Sequence, residues 1–323
     1  MLAIVCPGQG AQKPGFLAPW LELPGAREAL ASMSEAGEVD LETHGTTSDA
    51  DTIRDTAVAQ PLLVAAGILA ADALAPSAGD AAGSLSAGSF ASAPPAQLLA
   101  GHSVGELTAA ALAGVLSPAD AMRLVSVRSR AMAAAAAEEP TSMAAVVGGV
   151  REEVLAAIEA AGLTAANINS AAQVVAAGSV EGIAQLGENP PARARVIPLQ
   201  VAGAFHTPYM EGAREQLAAF APQLSPSAPL VPLVSNAGGE VIEDGARYLD
   251  LIVRQVASPV DWQACMAVFA DRGVTGILEV NPAGTLTGLA KRELKGVALQ
   301  NLNSPEDLEA ARAFVAEHDG PVA

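Results

Sequence analysis

The run Gly101-His102-Ser103-Val104-Gly105 constrains the fold of this chain more than any other stretch. It is a Gly-x-Ser-x-Gly turn, with a short apolar segment at 97–100 before it and an alanine-rich, helix-like segment behind it. The order reads as strand, sharp turn, helix. A serine at such a turn sits in a strained backbone conformation, and the positions two before and two after it must lack a Cβ or the chains collide. Gly101 and Gly105 meet that demand. A helix starting directly behind Ser103 leaves its first backbone N–H groups, Val104 foremost, free to face a developing negative charge. A glycine-flanked N-cap serine satisfies the same five residues, so the turn alone leaves chemistry and plain structure both open.

The flanking sequence says what kind of sheet the turn belongs to. Residues 2–6 read as a strand followed by a PGQGAQ turn, and Pro61 reads as the first residue of an apolar helix, PLLVAAGILAADAL. Residues 75–95, rich in Ala, Ser, Gly and Pro and almost without charge, read as a surface loop. From 142 onward the pattern becomes strand (142–149), helix (151–162), strand (163–170), strand (173–178), helix (179–187) and strand (194–203). That order is the ferredoxin-like signature, and it marks 140–204 as a small unit inserted in a larger one formed by 1–139 and 205–323. Beyond it come a helix around 210–221, a strand at 230–235, helices around 248–256 and 262–272, a strand at 276–280, a helix at 284–294 and a strand at 297–302. A last helix is capped by Ser304, with Pro305 at its first position. Strand–helix alternation predicts an α/β class with a parallel sheet. With 323 residues, 51% of them hydrophobic, the chain is long enough for a large core.

Composition removes several functions. Lys and Arg number 17 against 35 Asp and Glu, a net charge of −18, and 3% of residues are aromatic. That argues against a nucleic-acid partner. No run of about 18 apolar residues is uninterrupted, which argues against a membrane span. The N-terminal MLAIVCPGQG lacks a basic segment and reads as a buried strand rather than a signal peptide. Cys6 and Cys265 lie far apart without metal-ligand spacing and read as buried thiols of a cytoplasmic protein.

A serine nucleophile needs a base. Of four histidines, His318 lies in a polar tail and His44 in a loop-like DLETHGTTSD stretch. His102 adjoins Ser103, where neighbouring side chains splay apart, so it reads as support for the turn. His206, in VAGAFHTPYM, lies at a strand end, where catalytic side chains collect, although a helix-capping histidine reads the same way. An ordinary serine hydrolase also places an acid after a strand between serine and histidine. The acids from Asp120 to Glu188 all fall on predicted helices or their ends, so a backbone carbonyl is the alternative support for the histidine. Arg128 shares a helix face with Leu124 and Met132, four residues either side. It is either snorkelling or positioned for an anion in a cleft.

Together these motifs resemble the malonyl-CoA:acyl carrier protein transacylases and the related acyltransferase domains of polyketide and fatty acid synthases. The resemblance rests on PGQGAQ at 7–12, AQPLL at 59–63, GHSVGE at 101–106, Arg128 in LVSVRSRAM and GAFHT at 203–207, in the family's order. It implies an α/β-hydrolase-like large domain with an inserted ferredoxin-like one. It implies Ser103 as nucleophile, His206 as base, and the backbone N–H groups of Gln9 and Val104 as oxyanion hole. The Gln255 carbonyl would orient His206, and Arg128 would bind the malonyl carboxylate, with Met132 and Phe205 lining the acyl pocket. Phe205 would favour malonyl over methylmalonyl by crowding the added methyl. The partners implied are a coenzyme A thioester and an acyl carrier protein, with no metal or redox cofactor, and a monomer is the default. The chain departs from the family pattern at Ser129, often Gly, and at Asn281-Pro282-Ala283-Gly284, often a G-P-G loop. Two other functions remain open on the sequence: a thioesterase or serine hydrolase, which gives Arg128 no role, and a non-catalytic carrier-binding protein. Lys291 and Arg292 are candidates for docking an acidic carrier, or a solvated helix surface.

Overall fold

The computed structural model describes residues 1–74 and 94–320. Most of the loop expected at 75–95 therefore lies outside the described residues. Eleven strands form two sheets among them: β1 (Leu2–Cys6), β2 (Leu98–Gly101), β3 (Thr141–Gly148), β4 (Thr164–Ser170), β5 (Gln173–Ser179), β6 (Ala194–Pro198), β7 (Leu233–Val234), β8 (Val241–Ile242), β9 (Val260–Asp261), β10 (Gly276–Glu279) and β11 (Ala298–Asn301). The larger sheet runs β11-β10-β1-β2-β7-β8 and is parallel except for the β7–β8 pair. Helices cover both its faces. Leu2, Ile4 and Cys6 point into a core shared with helices Thr56–Leu74, Gly105–Leu112 and Pro118–Glu138. Ala3 and Val5 point the other way, onto helices Trp262–Asp271 and Thr285–Glu293. Strands buried on both faces explain why β1 and β2 read as unbroken apolar runs.

The smaller sheet runs β6-β3-β5-β4-β9. Helices Arg151–Ala160 and Val180–Glu188 cover one face through Val154, Ile158, Ile183 and Leu186. Met143, Val175 and Ala177 on the opposite face join the core of the large body. The fifth strand comes from outside 140–204: β9 pairs in parallel with β4, matching Asn167 to Val260 and Ile168 to Asp261. One edge of the small sheet is thus anchored to the large body.

Two local expectations change. The helix expected to open at Pro61 begins at Thr56 and carries Pro61 inside it. Asp55 starts it, its carbonyl accepting from Val58 and Ala59 and its side chain from the Ala57 N–H. Pro61 has no N–H for the Ala57 carbonyl. The Ser129 hydroxyl, 3.4 Å away, reaches that carbonyl instead and also faces the Ser126 carbonyl at 3.2 Å. This helix is long and apolar enough in composition to cross a bilayer, yet most of it lies buried inside the molecule as a core helix. The second change is His44, which lies in the helix Leu41–Thr46, capped by Asp40, rather than in a loop. A short capped helix of low intrinsic propensity is stabilised here by packing through Leu41, and that contact is not local in sequence.

Candidate active site

Ser103 stands between β2 and the helix Gly105–Leu112, with φ of 53°. The glycines are obligatory here. A Cβ at Gly101 would lie 2.0 Å from the Gly105 carbonyl carbon, and one at Gly105 would lie 2.1 Å from the Cys6 oxygen. Asn236, just after β7, fastens the turn: its Oδ1 accepts from the Ser103 N–H at 2.8 Å, and its Nδ2 donates to the Gly101 carbonyl at 2.7 Å.

His206 also has a left-handed backbone, φ 61°, which the sequence did not announce. Its Nε2 accepts from the Ser103 hydroxyl at 2.7 Å. Its Nδ1 lies 2.8 Å from the Gln255 carbonyl. A carbonyl can only accept, so Nδ1 carries the proton and Nε2 presents its lone pair to the serine. Burial, with the nearby Arg128 charge, holds the imidazolium pKa down to about 3, so the ring is neutral at physiological pH.

Arg128 is 1% exposed, which removes the snorkelling reading. Its Nη1 donates to Gln60 Oε1, and its Nη2 donates to Gln255 Oε1 at 3.0 Å and faces Ser103 Oγ at 3.4 Å. All three partners are neutral. Burial lowers its pKa to about 10, opposed by the Glu106 charge, so the cation persists. A buried guanidinium held by neutral amides beside a serine keeps its positive charge unpaired, and its donor set is of the kind that can take an anion. Met132 is buried alongside, its Sδ 3.5 Å from Gln60 Nε2. Phe205 is buried next to His206.

The backbone N–H groups of Gln9 and Val104 make no hydrogen bond among the described residues. Gln9 follows β1, whose last residue, Cys6, pairs with Gly101 at the base of the turn. His102 supports the turn as expected: its N–H donates to the Cys6 carbonyl, its Nε2 meets Asn169 Oδ1 at 2.9 Å, and its ring stands edge-on to Trp262 at 5.8 Å. Lys291 and Arg292 lie exposed on the last turn of their helix, where basic residues favour the helix dipole, and they bond no site residue. The Asn281-Pro282-Ala283-Gly284 loop is tied to Glu279 and Asn303 through the Gly284 and Ala283 N–H groups.

Four contributors were missed in the sequence: Gln60, Glu106, Asn236 and the side chain of Gln255. Glu106 had a signal, since it is the one charge between Ser103 and Ala119. Asn236 had none, being 133 residues from the serine it fastens.

The model of the family described as "Acyl transferase domain" matches residues 3–308. The chain belongs to the acyl transferase domain family. Among curated members, the malonyl CoA-acyl carrier protein transacylase of Mycolicibacterium smegmatis is 48% identical over 298 residues, 91% of this chain and 98% of that one. The crystal structure of MCAT from Mycobacterium tuberculosis superposes with a TM-score of 0.88 at 44% identity, covering 97% of this chain and 99% of that one. A type II PKS acyl-carrier protein in complex with its malonyl-transacylase gives a TM-score of 0.87 at 28% identity, over 97% of this chain and 99% of that one. The acyl transferase domain thus spans nearly the whole chain, and both sheets lie within it.

Proposed function

We propose that this chain transfers the malonyl group of malonyl-CoA to the phosphopantetheine thiol of an acyl carrier protein, supplying fatty acid or polyketide synthesis. One observation carries the reading: the Arg128 guanidinium, bound by neutral oxygens, lies 3.4 Å from Ser103 Oγ. A substrate with a free carboxylate one carbon from its reacting carbonyl fits that spacing. The curated relatives named above carry the same activity in their names.

His206 Nε2 takes the Ser103 proton as Oγ attacks the thioester carbonyl. The oxyanion is received by the Gln9 and Val104 N–H groups. The C–S bond breaks, and His206 returns the proton to the departing CoA sulfur, leaving a malonyl ester on Ser103. The pantetheine thiol then gives its proton to His206, its sulfur attacks the ester carbonyl, and Ser103 recovers its proton. The Gln255 carbonyl supports the transient imidazolium through Nδ1, in the role an acid fills in ordinary hydrolases. Every proton and acyl movement is assigned to a group of this chain or its two thiol substrates, so the cycle calls for no metal or redox cofactor. Met132 and Phe205 line the acyl pocket, with the Phe205 ring beside the acyl α-carbon favouring malonyl over methylmalonyl.

In fold terms, residues 1–139 and 205–323 form an α/β-hydrolase-like domain, and 140–204 form a ferredoxin-like unit whose strands take the order β6-β3-β5-β4. We assign a monomer acting in the cytoplasm, with neither nucleic acid nor membrane as partner.

Labelled malonyl-CoA, with and without a phosphopantetheinylated carrier protein, tests the reading by intact mass. Malonyl should appear on the wild-type chain, disappear from it when carrier is added, and never appear on Ser103→Ala. A normal amount of adduct on the alanine variant, or release as free malonate rather than transfer, overturns it.

A further inference from the structure

Glu106 is a buried carboxylate that the cycle above does not use. It lies in the first turn of the helix Gly105–Leu112 and is 1% exposed. Its Oε1 accepts from the Asn236 N–H at 2.7 Å, and its Oε2 accepts from Gln255 Nε2 at 2.6 Å. The other end of that amide, Gln255 Oε1, accepts from Arg128 Nη2 at 3.0 Å. A half-turn of an amide exchanges its donor and acceptor ends. A carboxylate only accepts and a guanidinium only donates, so ions at opposite ends permit one orientation. Gln255 thus bridges a buried ion pair whose members do not touch.

We propose that Glu106 is a positioning residue: by holding the amino end of Gln255 it locks the carbonyl end onto Arg128 and aims the guanidinium at the substrate carboxylate. The inference rests on the function proposed above. The same amide also donates toward the Ser103 carbonyl at 3.1 Å and Asn236 Oδ1 at 3.0 Å. These neutral acceptors keep its amino end facing the same way when Glu106 loses its charge, so what is lost is the charged anchor, and the carbonyl end is held less tightly on Arg128. The His206 contact is spared, because it uses the Gln255 backbone carbonyl.

The lock depends on the charge of Glu106. Burial pushes its pKa up to about 7, against the hydrogen bonds from Asn236, Ser235 and Gln255 and the field of Arg128. The other titratable groups packed around it are Tyr248 and Cys265, both raised by burial and neutral, and His206, held neutral. Among the described residues, Arg128 is therefore the one full charge facing it. Ionised above about pH 7, Glu106 anchors Gln255 with a charge-assisted hydrogen bond; that hold weakens as pH falls through that value.

The test compares acylation of Ser103 by malonyl- and acetyl-N-acetylcysteamine, which carry no phosphate to titrate, on the full-length protein across neutral pH. In the wild type, the malonyl-to-acetyl ratio of kcat/KM should fall about tenfold as pH drops through about 7, the loss of one charge-assisted hydrogen bond. In Glu106→Gln the ratio should be low at all pH values and flat. A wild-type ratio that is flat across neutrality overturns the proposal without any variant, so it stays testable even if Glu106→Gln does not fold. A parallel loss of both acyl groups in Glu106→Gln makes the residue merely structural and also overturns it. A wild type that accepts acetyl but no malonyl at any pH sinks the functional reading itself, and that result is distinct from the other two.

Discussion

The large body and the small sheet differ in how they meet the turn at Ser103. The large body supplies Ser103, His206, Arg128, Gln255, Asn236 and Glu106, all joined by hydrogen bonds, several of them buried. Among the described residues the small sheet reaches the turn through one hydrogen bond between neutral groups, donated by His102 Nε2–H to Asn169 Oδ1 on β4. Where groups must be aimed, the chain uses elements packed on both faces of the parallel sheet. The small sheet, covered by helices on one face and anchored along β9, supports the turn from the side. Aiming and support are thus carried by different parts of this fold, and three substitutions test that division.

The largest effect should come from His206→Ala. Removing the base should slow both half-reactions by roughly 10² or more, measured as single-turnover acylation and deacylation. Unchanged rates would mean that the base lies elsewhere and that the buried network serves structure alone. Arg128→Ala comes next. It should lower malonyl use relative to acetyl by at least about tenfold, since a sheltered charge-assisted pair is worth about 1.5–3 kcal/mol. If both acyl groups lose equally, the guanidinium is packing material. The smallest effect belongs to the small sheet. Asn169→Ala deletes a bond between uncharged groups worth about 0.5–1.5 kcal/mol, so acylation should slow only a few-fold, with the malonyl-to-acetyl ratio unmoved. A loss as large as that of His206→Ala would erase the contrast between the two regions.

The same contrast shows what the sequence made legible. The turn at Ser103 is written locally: glycines at plus and minus two are required by clashes of about 2 Å that any other residue would create. The alternation of strands and helices was equally readable, and so were the six elements between Thr141 and Pro198. What escaped was the work of contacts distant in sequence. β9 is two residues long and joins a sheet built some hundred residues earlier. Pro61 sits inside its helix because packing, and a hydroxyl from another helix, absorb the missing hydrogen bond. Gln255 was expected to act through its backbone alone, while its side chain joins Arg128 to Glu106 across 127 and 149 residues. No periodicity or motif encodes an amide's orientation.

The left-handed backbones of Ser103 and His206 have a further consequence. Each such conformation at a residue with a Cβ costs about 1–3 kcal/mol, a real fraction of the roughly 5–15 kcal/mol by which a folded domain outlasts its unfolded chain. Glycine would relieve the cost at either position, but glycine carries neither hydroxyl nor imidazole. Selection can therefore never recover this energy while the reaction is kept, and any more heat-resistant descendant must find its gains elsewhere in the molecule.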